Sequence, residues 1–174
     1  DVARAAVVFE TMRDVNALFR DHHAMPFHTF SDRRCCLAKG ATAATLAGHY
    51  PNLAVGETLV FEEVLGPRTG RAADADPAHR HAVRLVSVEH AGEGGGPLAD
   101  PVTGQPITRI AWEEADALPF PLCLSAETDA AFGAAFVEPV SVAHGNVVLA
   151  DHGRTIRGEA LGSVPESGLS WAPE

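Results

Sequence analysis

The feature that most constrains this chain is the shortness of its apolar runs. TLVFEEVL (58–65), HAVRLVSVEH (81–90) and ITRIAWEE (107–114) are rich in β-branched or aromatic residues, and each gives way to Gly, Pro or a polar loop. Such residues fit a pleated, half-buried surface, and turn-formers at this spacing favour many short strands over long helices. The expected fold is mainly β: a small barrel- or sandwich-like domain of short antiparallel strands, with long polar loops and at most one or two short helices.

The runs differ in phase. Ile110 and Trp112 alternate against Arg109, Ala111 and Glu113, as in a strand with one buried face. In 81–90, Val83 and Leu85 share one face while Val86 and Val88 share the other. That slip predicts a bulge, or a strand buried on both faces. Leu122–Leu124, just after Pro121, reads as a brief strand near an edge or a barrel mouth. Cys35–Ala38 and Ala41–Leu46, joined by Lys39-Gly40, read as a hairpin. A strand is expected at Ala5–Glu10, followed by a helical turn or two where Met12, Val15, Leu18 and Phe19 repeat at helical spacing. Met25–Phe30 reads as extended, and the alanine-rich 126–137 as a short helix.

Near the end stands SVAHGNVVLADHGRTI (141–156). Gly145-Asn146 reads as a tight hairpin loop, and Asp151 with Gly153 as a second turn, which gives a three-strand meander ending in Thr155–Glu159. Residues 1–162 then form one β-rich domain, and 163–174, rich in Pro, Ser and Gly, a linker or frayed end. A chain that opens on Asp1 reads as part of a longer subunit.

Charge narrows the function. Thirteen basic residues against 23 acidic ones give a net charge of -10, and Lys39 is the only lysine. Phosphate backbones and anionic membranes both require clustered positive charge, so neither nucleic acid nor a lipid surface is expected as a partner. No apolar run approaches the roughly 18 residues that a membrane-spanning helix needs. The three cysteines, Cys35, Cys36 and Cys123, include one vicinal pair, a poor disulfide framework. They are expected to be free, structural thiols in a reducing compartment.

Nine histidines raise the question of chemistry. His79 and His81, two apart on a strand, would share a face; with His152 or His144 as a third ligand and Asp74 and Asp76 nearby, a cupin-like metal enzyme is the alternative reading. The simpler reading places both on the solvent side where a polar loop becomes a strand. Ser141, His144 and Asp151 supply the letters of a catalytic triad, but order alone carries little information. No GxSxG elbow is present, and Gly92–Gly96 lacks the Lys-Ser/Thr ending of a phosphate loop. Glu62-Glu63 and Glu113-Glu114 are adjacent, so on strands they face opposite ways and read as solvent edges. A glycan-binding sandwich would need exposed aromatic platforms, and two Trp and one Tyr offer few. The expectation is a non-enzyme without a cofactor.

Four segments carry a family resemblance: DRRCCLAKGATAATL (32–46), LVFEEVLGPRTGRAADADPAHRHAVRL (59–85), DPVTGQPITRIAWEEADALPFPLCLS (100–125) and VSVAHGNVVLADHGRT (140–155). Together they resemble the baseplate assembly proteins of contractile phage tails and phage-tail-like injection systems, similar to the J-type wedge proteins. GNVVLADHGRT is the most specific part, and His144 is a departure, since the family pattern carries Arg there. The resemblance implies a structural component contacting other wedge subunits and hub or sheath-proximal parts in a multimeric ring, assembled in the cytoplasm as part of a particle. It implies no catalytic residue. The long loops 68–77, with Arg68, Arg71, Asp74 and Asp76, and 91–106, with Asp100, are the expected contact surfaces.

Overall fold

The computed structural model describes residues 8–12, 14–15, 17–92, 94–153 and 155–158. The fold is mainly β, and among the described residues no helix is long and apolar enough to cross a membrane. The chain divides into two compact units, Val15–Val148 and a smaller one drawn from Asp1–Asp14 and Leu149–Glu174.

The larger unit is built on one antiparallel sheet. Its strands are β2 (Met25–Pro26), β4 (Ala43–Ala47), β5 (Thr58–Glu63), β6 (Arg80–Glu89), β7 (Ile107–Trp112) and β11 (Ser141–His144), in the order β2-β11-β5-β6-β7-β4. The outer strands β2 and β4 approach each other. Phe27, directly after β2, bridges to Leu46 of β4, and the His28 N–H donates to the Thr45 carbonyl at 2.8 Å. The sheet is thus a nearly closed six-stranded barrel, which leaves few unpaired edges.

Alternation explains the core. Leu59, Phe61 and Glu63 of β5 are buried while Thr58, Val60 and Glu62 are half-buried. In β6, Val83 and Leu85 point inward and the register shifts between Leu85 and Ser87. The bulge leaves Val86 42% exposed and lets Val88 pack on the core opposite Ile110. It is the predicted phase slip. Ile107, Ile110 and Trp112 of β7 are buried and Arg109 is exposed. Phe27, Phe61 and Trp112 line up edge to face, with ring centroids 5.0 and 5.1 Å apart, which joins the seam to the far wall.

Smaller pairings add to the barrel: β3 (Cys36–Leu37) with β8 (Leu122–Cys123), and β9 (Ala126–Glu127) with β10 (Phe136–Val137). These correct several expectations. Lys39 and Gly40 form a turn, with Gly40 at φ +85°, but β3 and β4 go to different partners and make no hairpin. The 126–137 stretch is two short strands around a single 3-10 turn at Ala130–Phe132, because Asp129 and Gly133 halt the helix after one turn. The helical spacing of Met12–Phe19 yields no helix among the described residues; a 3-10 turn forms at Arg20–His22 instead.

The cysteine expectation also fails. Cys36 and Cys123 stand opposite each other across β3 and β8 and form a disulfide, and only Cys35 is free. Strand pairing across 87 residues of sequence is invisible to spacing rules. Burial, then the charges of Asp32 and Glu138, push the Cys35 thiol up from its ordinary value.

The smaller unit is a ribbon of β1 (Phe9–Thr11) and β12 (Ala150–His152), extended by a Met12 N–H bond to the Leu149 carbonyl at 2.9 Å. The expected meander is therefore absent: β11 pairs with β2 and β5, and β12 with β1. Asp151 and His152 lie within a strand rather than in a turn, Gly153 follows it, and the expected strand at Thr155–Glu159 does not form over 155–158. Parts of the expected strands at Ala5–Glu10 and Thr155–Glu159, and the whole of 163–174, lie outside the described residues.

The seam can be tested by truncation. Leu46 is fully buried, so Leu46→Ala is expected to cost about 2–5 kcal/mol in urea unfolding, whereas Val86→Thr at the exposed bulge should stay within about 0.5 kcal/mol.

Candidate functional site

Strand registers define two poles of the barrel. Glu63 faces Ser141 and Glu62 faces Arg80, so the end of β5 and the beginnings of β6 and β11 share a loop pole. The beginning of β2 and the end of β11 lie at the other pole, because Met25 faces Ala143.

At the loop pole the metal candidates are already engaged. His79 Nδ1 donates to Glu63 Oε2 at 2.7 Å, and the other oxygen of this buried carboxylate accepts the Asp76 N–H at 2.9 Å. The His79 ring packs 4.7 Å from that of Phe120. His81 Nε2 donates to the Asp116 carbonyl at 2.9 Å. His152 belongs to the ribbon unit, where it packs against Phe9. Among the described residues no group of three His, Cys, Asp or Glu side chains could hold a metal ion. Glu63 and His79 thus anchor the 64–79 loop to the barrel wall.

The opposite pole holds the GNV signature. Asn146 Oδ1 accepts the Phe19 N–H at 2.9 Å and its Nδ2 donates to the Phe19 carbonyl at 2.8 Å, imitating a strand partner. The Gly145 N–H donates to the His22 carbonyl at 2.7 Å. These bonds tie the beginning of the larger unit to its end. Gly145 has ordinary φ; what it supplies is space, since a Cβ there would lie 2.9 Å from His22 Cβ and 3.1 Å from its carbonyl. His144 Nδ1 donates to the His23 carbonyl at 2.6 Å, and Nε2 lies 3.1 Å from Glu62 Oε2, out of line for a hydrogen bond. Glu62 is held below the usual carboxylate range chiefly by its Arg80 hydrogen bond, with a smaller contribution from His144. Gly145→Ala must displace the backbone at His22, so a loss of about 1–3 kcal/mol is expected in chemical denaturation, larger than a solvent-exposed hairpin glycine would give.

The 91–106 loop is not a free contact surface throughout. Short bridges, Ala91 to Pro97 and Ala99 to Pro106, fold it on itself. Asp100, expected at an interface, is 4% exposed and lies 2.6 Å from His28 on the barrel seam. It has become an internal clamp because its other oxygen accepts the Val102 and Thr103 N–H groups. The Thr103 N–H, then His28 and the Val102 N–H, hold its carboxyl down at about 2. An unfolded Asp titrates near about 3.9, so this stabilisation is complete above that pH and drains away as pH falls to about 2. Urea midpoints should fall more steeply over that window in the wild type than in Asp100→Asn, which lacks the titrating group; equal slopes would show that the pair contributes nothing.

The 68–77 loop is exposed as expected. Arg68 is 81% exposed and pairs with Asp129 at 2.8 Å; Arg71, Asp74 and Asp76 are also exposed. Gly70, at φ +70°, brings this loop against Val137 and Thr128 of the β9–β10 hairpin. Sequence reasoning missed what lies beside it. Arg33 and Arg34 both reach Glu127 at 2.7 Å, Arg33 covers the Phe136 ring at 4.8 Å, and Arg71 covers Phe132 at 5.1 Å. Glu127 is held below the usual range first by Arg33 and then by Arg34. The vicinal arginines in DRRCC were the available signal. Between Arg34 and Arg68 lies an open depression of about 540 Å³ whose lining includes Cys36, Ala126 and Ala130.

No protein-family model, curated protein or solved structure matches the chain.

Proposed function

We propose that the barrel is a structural module of the baseplate of a contractile phage tail or phage-tail-like injection system, where it makes subunit contacts in the wedge ring around the spike hub. The observation that carries this reading is the division of labour among polar side chains. Glu63, His79, His28, Asp100 and Asn146 are engaged in holding loops and chain ends to the barrel. The groups left outward at the loop pole include, beside the exposed Asp74 and Asp76, arginines over half-exposed phenylalanines, a composition suited to protein contact. The four sequence segments that resemble wedge proteins support the same reading.

The tied ends fit a module carried within a longer subunit. A domain whose beginning and end are bonded to each other interrupts its host little, and domains so arranged tolerate insertion. The module adds a surface to the particle, and cytoplasmic assembly with other wedge, hub or sheath-proximal components follows from that role. Replacing 15–148 by a short Gly-Ser linker in a particle-producing host should abolish or strongly reduce contractile particles in electron micrographs. Particles assembling in normal number would contradict the reading.

A further inference from the structure

The loop pole carries features that the fold does not need. Phe132 and Phe136 are each 39% exposed, and each lies under a guanidinium. The arginines outnumber their close counter-ions: Arg33 and Arg34 share Glu127, and Arg71 forms no salt bridge among the described residues. Four of the 13 basic residues of a chain with net charge -10 thus gather here, counting Arg68. The barrel also displays an opposite feature. Glu113 and Glu114, at the 3-10 turn Glu114–Asp116, are exposed and have no basic partner among the described residues. Asp116 differs, since its carboxylate accepts the Arg84 N–H at 3.0 Å.

We infer that these patches are the two halves of one contact, in which the Arg33, Arg34 and Arg71 face of one copy docks the Glu113-Glu114 turn of a second copy. A guanidinium laid flat on a ring keeps its planar fork ordered for a carboxylate, so little freedom is lost on pairing. The flanking phenylalanines supply apolar area and exclude water around the charge pairs. Two chains of charge -10 repel at long range. At physiological ionic strength the screening length is about 8 Å, so that repulsion fades while pairs in contact persist. Because the two patches differ, the contact is head-to-tail, and repetition gives a ring or a growing chain rather than a symmetric dimer. The inference stands on the charge pattern and does not depend on the baseplate reading.

Sedimentation of the full chain at physiological salt, up to millimolar concentration, tests it. The wild type should form dimers and larger species. Arg33→Gln/Arg34→Gln and Glu113→Gln/Glu114→Gln should each weaken association by about tenfold or more. Mixed in equal amounts, the two variants should form a 1:1 dimer and nothing larger, because each retains the patch the other lacks. The exposed side chains of Glu113 and Glu114 form no hydrogen bond or ion pair among the described residues, so their variant should keep the wild-type unfolding midpoint. A wild type that is monomeric throughout, variants that associate like the wild type, or a mixture that stays monomeric would each overturn the inference. None of these outcomes bears on whether particles need the barrel.

Discussion

Everything in the larger unit depends on the seam where β2 meets β4. A six-stranded sheet left open there would expose both outer strands and the inward faces of Phe27 and Leu46. Closing it takes one bridge, to which the backbone bond of the His28 N–H belongs, and the packing of Phe27 on Phe61. The backbone contribution is small, so the seam holds chiefly because fully buried apolar side chains leave water on both sides of it. The His28–Asp100 pair then lays the 91–106 loop across the same place.

Once the barrel is closed, its loops become surfaces of defined shape. Glu63 fixes 64–79 through His79 and the Asp76 N–H, and Gly70 brings that loop onto the β9–β10 hairpin. Several of the histidines that suggested catalysis serve as such fasteners. A histidine beside a carboxylate or carbonyl can satisfy a buried acceptor while packing an apolar ring against neighbours, as His79 does against Phe120.

The strands of the barrel were legible because burial writes a period of two into them. Residues 58–65 and 107–114 show it, and 81–90 showed even its interruption at Val86. What the period cannot express is which strand pairs with which. Lys39-Gly40 and Gly145-Asn146 looked like hairpin loops, yet the strands on either side of them go to distant partners. The Cys36–Cys123 disulfide was hidden for the same reason. Polar side chains were harder still: Asp100 and Asp76 look alike in sequence, but His28 and two backbone N–H groups draw only Asp100 inside. The Arg–Phe stacking joins residues about a hundred positions apart at Arg33 and Phe136, beyond the reach of any local pattern.

The barrel is nearly closed, tied through Asn146 at one pole and lined with arginines at the other. That account requires the seam to be a permanent part of the barrel. Native-state hydrogen exchange of the His28 amide, which bonds to Thr45 across the seam, measures this most directly. The account predicts that His28 exchanges only through global unfolding, with the same protection as the β5 and β6 amides. Fast exchange at His28 through local opening, while β5 and β6 stay protected, would show an open sheet and contradict it.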